Sequence, residues 1–128
     1  MTLPEGYDLL APDGSEVRVL LAMARGSMAH FRLPAGQVTR AVRHRTVAEI
    51  WYILAGTGEM WRSHSGNQAV LALAPGVCLT IPVGTHFQFR TTGGEALAAI
   101  AITMPPWPGE NEAEVVEGTW VATVGGDR

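Results

Sequence analysis

Gly36-Gln37-Val38-Thr39-Arg40-Ala41-Val42-Arg43-His44-Arg45-Thr46-Val47-Ala48-Glu49-Ile50-Trp51-Tyr52-Ile53-Leu54-Ala55-Gly56 holds two strand-like runs between bounding glycines. Strand side chains point alternately to opposite faces, so Val38, Arg40, Val42 and His44 share one face of the first run, residues 37–45. In the second run, residues 49–54, Glu49, Trp51 and Ile53 share a face. Outward from this stretch the pattern recurs. Apolar runs at residues 16–23, 27–33, 59–63, 69–73, 78–81, 87–91 and 96–104 are separated by Gly and Pro corners such as Pro34-Ala35-Gly36, Gly56-Thr57-Gly58, Pro75-Gly76 and Gly93-Gly94. Short strands at near-regular spacing with turn residues between them predict an all-β sandwich or barrel. Arg25-Gly26 predicts a hairpin between the first two runs.

The ends read differently. Pro4, Gly6, Pro12 and Gly14 predict an irregular N-terminal arm. Pro105, Pro106 and Pro108 set residues 105–128 apart as a C-terminal extension, in which Glu110 to Val116 is the one stretch able to form a short helix. Trp107 and Trp120 in that extension are costly to leave in water, so it is expected to pack on the barrel or on a second subunit. At 128 residues the chain fits a single domain, with a barrel core at about 16–104.

Composition excludes some functions. With 47% hydrophobic and 16% charged residues, the chain is a well-buried globular protein. A net charge of −3 argues against nucleic acid, whose phosphates demand clustered bases. All nine basic residues are arginine, and Arg40, Arg43, Arg45 and Arg62 lie close enough in sequence to leave a small anion as a ligand; for Arg43 and Arg45 a solvated strand edge is the simpler place. Cys78 is single, which rules out an intrachain disulfide, points to a reducing compartment and reads as a small buried apolar residue. No apolar stretch approaches the ~20 residues of a membrane span, and a cytoplasmic location is expected.

The opening stretch also resembles the first cupin motif: Gly, five residues, His-x-His, three or four residues, Glu, six residues, Gly. Gly36, His44, Glu49 and Gly56 fall in register. The second motif, Gly, five residues, Pro-x-Gly, two residues, His, three residues, Asn, is matched by Gly76, Pro82 and Gly84. The resemblance implies a double-stranded β-helix, a jelly-roll-like barrel. In that family the two motif histidines, the glutamate and the second-motif histidine bind a divalent transition metal. Here Val42 stands in place of the first histidine and Phe87 in place of the last, with His86 one residue early. Alternation turns His86 away if Phe87 faces in, unless the Pro82 to Gly84 turn relaxes it. If a metal is bound, its ligands would be His44, Glu49 and His86, completed by water; one imidazole and one carboxylate alone are too few, and no cofactor is firmly predicted.

The interior is expected to hold Trp51, Phe87 and Phe89 as apolar walls with His44 and Glu49 as its polar minority, either as a small-molecule site or as a filled core. Arg40, sharing the face of His44, would need an anion from Glu49 or from a substrate carboxylate or phosphate, unless it reaches solvent. His44 and Glu49 would titrate as a coupled pair and could serve as catalytic base and acid. His30, of opposite parity to Phe31 and Leu33, is expected to be exposed, and His64 to lie in a turn. Three functions follow: a cupin-fold small-molecule binder with a degenerate metal site, a metal-dependent oxygenase or isomerase, and a non-catalytic structural or regulatory dimer. Exposed strand edges and the tryptophan-bearing extension favour a homodimer.

Overall fold

The computed structural model describes residues 1–124, which form eleven strands and no helix. These are β1 (Leu9–Leu10), β2 (Glu16–Met23), β3 (Gly26–Leu33), β4 (Ala41–His44), β5 (Ala48–Ala55), β6 (Gly58–His64), β7 (Asn67–Leu73), β8 (Cys78–Ile81), β9 (His86–Thr91), β10 (Leu97–Met104) and β11 (Ala113–Val116). They pair antiparallel in two sheets, ordered β1-β2-β3-β10-β5-β8 and β11-β4-β9-β6-β7. The core lies between the sheets. Leu33, Ile53, Met60, Leu73, Phe89 and Leu97 fill it, each at most 2% exposed. No helix of the described residues is long and apolar enough to cross a membrane.

Alternation is cleanest in β5, where Glu49, Trp51 and Ile53 are buried while Ile50, Tyr52 and Leu54 are exposed. Gly56 follows with φ of 79°, a left-handed conformation that costs glycine little. A side chain there would also run into the Ala96 carbonyl.

Five expectations fail. His64 does not lie in a turn but ends β6, paired with Asn67, and the turn is confined to Ser65 and Gly66. The strand predicted over residues 37–45 is regular only from Ala41: Val38 still bridges Arg90 and Thr39 N–H still donates to the Phe89 carbonyl of β9, but Arg40 N–H leaves that pairing and donates to the Asp13 carbonyl. Residues 110–116 form no helix. Ala113–Val116 instead pairs with β4, whose edge groups would otherwise lack partners, and a lone seven-residue helix has too few bonds to sustain itself. Cys78 is exposed, since on β8 it shares the outward parity of Thr80 while Leu79 and Ile81 face in. His30 is only 5% exposed. It lies beside Arg18, whose guanidinium donates to the carbonyls of Pro4 and Glu5 and so draws the N-terminal arm across this part of the sheet.

The extension packs on its own barrel. Buried Gln88 donates to the carbonyls of Thr39 and Trp120 and accepts from the N–H groups of Thr119 and Trp120. The Trp120 ring lies under the Arg90 guanidinium at 4.0 Å.

Candidate functional site

A cleft of about 380 Å³ opens between the two sheets, at the small end of the ~300–1,000 Å³ usual for ligand pockets. Sheet one supplies Phe31, Glu49, Trp51 and Thr103; sheet two supplies Val42, His44 and Phe87. Val19 and Leu21 of β2 also line it while more than half exposed, so the cleft reaches solvent past that strand. Trp107, which follows the last core strand, closes part of the wall and meets the His44 ring edge-on at 5.0 Å.

The polar groups converge on one spot. His44 ends β4 and Glu49 is the second residue of β5, and the loop between the strands is pinned by Glu112, whose carboxylate accepts from Thr46 N–H at 2.7 Å, Thr46 Oγ1 at 2.6 Å and Val47 N–H at 2.9 Å. His44 Nδ1 then stands 3.7 Å from Glu49 Oε2, too far for a hydrogen bond, and has no hydrogen-bond partner among the described residues. Glu49 Oε1 accepts from the Trp51 indole N–H at 2.6 Å. Both side chains are over nine-tenths buried.

Burial decides their charge. It pushes Glu49 up to about 7, against the lowering effect of the Trp51 hydrogen bond and with further upward pressure from Asp13 and Glu112. Burial pulls His44 down to about 4, with Glu112 acting weakly the other way. Desolvation therefore outweighs the attraction that would have made an ion pair: between these values the pair carries one proton, held by Glu49. Glu112 itself stays below the usual carboxylate range, since burial is outweighed by the hydrogen bonds from Thr46 and Val47 and by His44.

The other expected residues separate. Trp51 and Phe87 line the cleft; Phe89 lies behind them, edge-on to Trp51 at 5.2 Å. Arg40 does not line it. Because β4 starts after Arg40, the shared parity with His44 does not hold, and the guanidinium donates to the Pro12 carbonyl at 3.3 Å. Arg43 and Arg45 pair with Glu114, each at 3.5 Å. Phe87 is buried opposite Val42, whereas its neighbour His86 pairs with Arg43 and Ser63 in the register and does not line the cleft. Among the described residues, no three His, Cys, Asp or Glu side chains gather as a metal's ligand set.

Sequence reasoning missed Asp13, Thr103, Trp107 and Glu112. Asp13 lines the cleft, is 5% exposed, and accepts from Ser15 N–H at 2.8 Å and Ser15 Oγ at 2.7 Å. Burial raises its pKa, opposed by those bonds and by Arg40. Its signal was the Pro12-Asp13-Gly14-Ser15 run, where an Asp side chain commonly bonds the backbone two residues on.

Two interlocked antiparallel sheets with an interior polar pair define a double-stranded β-helix, and residues 29–103 match the family model of the cupin domain. The chain belongs to the cupin family. An uncharacterized protein of Methanocaldococcus jannaschii, MJ1618, is 29% identical over 120 residues, covering 87% of this chain and 92% of its own. A double-stranded β-helix protein from Klebsiella pneumoniae superposes with a TM-score of 0.66 at 18% identity, over 88% of this chain and 92% of that one. The capsular polysaccharide assembling protein CapF of Staphylococcus aureus gives 0.73 at 16% identity over 84% of this chain, which spans only 33% of CapF. At such identities the solved structures speak for the fold alone.

Proposed function

We propose that this protein binds a small molecule in the cleft and that His44 and Glu49 act on it or hold it. The observation that carries this is an apolar cleft whose polar end is a buried histidine nitrogen with no partner among the described residues, beside a carboxyl pushed up by burial to about 7. A buried polar atom without a partner is costly, and a ligand donor or acceptor would satisfy it. A carboxyl near neutrality is suited to general acid or base work. A barrel merely filled by side chains would leave no such opening.

A resident metal is not part of this proposal. At two of the four motif positions the side chains are apolar and buried, Val42 at 1% and Phe87 at 2% exposed. The remaining imidazole and carboxylate fall short of the three protein ligands that open catalytic sites keep. The site is thus read as degenerate for metal, and an oxygenase or isomerase using His44, Glu49 and His86 finds no support in where His86 lies.

Fragment binding followed by NMR tests the proposal. Small aromatic fragments should shift the Trp51 indole N–H and the His44 ring signals, and Ala29→Phe, which places a ring in the cleft wall, should abolish the shifts. Shifts confined to other surfaces would overturn it.

A homodimer is also proposed, on different ground from the extension, since Trp107 and Trp120 pack on their own barrel. The outward row Ile50, Tyr52 and Leu54, at 45%, 50% and 44% exposed, lies beside Ile100 and Ile102 of β10 and forms a contiguous apolar strip. Light scattering should give about twice the chain mass, and Tyr52→Lys should give the monomer. A monomeric wild type would refute it. A cytoplasmic location is proposed on the single exposed thiol of Cys78.

A further inference from the structure

No arginine among the described residues lines the cleft; Arg40 donates to the carbonyl of Pro12, a lining residue, without lining it itself, and no basic side chain other than neutral His44 does so. The chain contains no lysine. The ionisable groups lining the cleft are Asp13, His44 and Glu49, with the Glu112 carboxylate close enough to act on both His44 and Glu49. Around this acidic pole stand four rings: Phe31 and Trp51 stacked at 5.7 Å, Phe87 edge-on to Trp51 at 6.2 Å, and Trp107 against His44.

From this lining we infer that the ligand is a small apolar ammonium cation, its charged nitrogen held by Glu49 Oε2 and His44 Nδ1 and its apolar body by the four rings. This rests on the reading of the cleft as a small-molecule site and narrows the class of molecule. An anion would enter against the Asp13 and Glu49 carboxyls with no cation in the cleft wall, since Arg40, which acts on Asp13, does not line it, and a neutral molecule would leave their field unused. Carboxylates attract an ammonium group directly, and aromatic faces attract it through their quadrupole, most strongly where water is excluded.

Geometry agrees with a shared donor. Oε2 and Nδ1 are 3.7 Å apart, so one nitrogen can lie about 2.8 Å from each, an ordinary hydrogen-bond length. Glu49 Oε1 is already engaged by the Trp51 indole N–H, which fixes the carboxyl plane and leaves Oε2 for the ligand. The unpartnered Nδ1 is more than nine-tenths buried and serves as an acceptor when its ring proton is on Nε2.

Three phenyl probes of similar size separate the outcomes: benzylamine, protonated at neutral pH, benzyl alcohol and benzoate, titrated by calorimetry against the full chain at pH 7.5. Benzylamine should bind at least about tenfold more tightly than benzyl alcohol, a difference of about 1.4 kcal/mol, and benzoate should give no heat. Glu49→Gln should bring benzylamine and benzyl alcohol to similar affinity while retaining cooperative unfolding. Benzyl alcohol or benzoate binding as well as benzylamine in the wild type would overturn the ammonium assignment and leave the small-molecule site standing. Binding of none of the three would overturn both. The wild-type comparison decides the matter even if Glu49→Gln fails to fold.

Discussion

The interior has two ends built by the same strands. On β5, Glu49 and Trp51 border the cleft and Ile53, two residues on, is fully buried; on β9, Phe87 borders the cleft and Phe89 lies behind it. At the closed end Ile53, Met60, Leu73, Phe89 and Leu97 belong to the buried apolar cluster, and none of them lines the cleft. There burial and stability point the same way. At the open end burial works against stability, since Glu49 and His44 are each held from their preferred charge. The contrast teaches that the cleft is maintained at a cost that the closed end offsets.

The largest test of that contrast is Phe89→Ala, which should destabilise the fold by about 3–5 kcal/mol in denaturant unfolding. A loss as small as that of a surface substitution would mean the closed end is not the anchor.

Glu49→Gln should do the opposite at high pH. Glu49 keeps its proton up to about 7 in the folded chain, against 4.5 for the free group, so its penalty is absent below pH 4.5, grows as pH rises and is complete above 7. At 1.36 kcal/mol per pH unit, the variant should gain up to about 3 kcal/mol above pH 7. His44, drawn down from 6.5 to about 4, has no penalty above pH 6.5 and acquires one as pH falls. These slopes oppose between pH 4.5 and 6.5, where wild-type stability should be nearly flat. In Glu49→Gln the histidine slope stands alone, so stability should rise with pH across that window; a flat variant would show that His44 titrates normally.

A smaller effect sharpens the chemical difference between the ends. Val42→His with Phe87→His completes the four-ligand motif, and zinc at a hundredfold excess over its Kd should then add about 2.7 kcal/mol, read as a rise in Tm. The smallest expected effect is in the unmodified protein, whose Tm should not change with chelator. A fall in that Tm, abolished by His86→Ala, would restore the metal reading.

Much of the fold was legible because turns are written locally. Gly56, Pro75-Gly76 and Pro82 mark corners by backbone geometry, and β2 and β8 begin and end where their apolar runs do. Alternation likewise located Glu49, Trp51 and Phe87. It failed at Arg40, whose N–H donates to the Asp13 carbonyl and so leaves the regular strand, and at His30, whose burial comes from an arm more than ten residues away. Residues 110–116 misled for the same reason. Their local composition suits a helix, whereas the unpaired edge of β4 decides their state. Asp13 and Glu112 were invisible as site residues because the arm and the tail carry them to the cleft, and no period in the sequence records that meeting.

The Gln88 latch has a consequence for how this sequence can drift. One side chain spends both amide hydrogens and both oxygen lone pairs on main-chain atoms of Thr39, Thr119 and Trp120. The partners are read only through their backbone, so beyond barring proline, which has no N–H to donate, from 119 and 120, the latch places no demand on which side chains occupy 39, 119 or 120. Position 88 has no such latitude: glutamate lacks the donors, leucine lacks everything, and asparagine is one methylene short. The latch is thus strict in one letter and nearly silent in three.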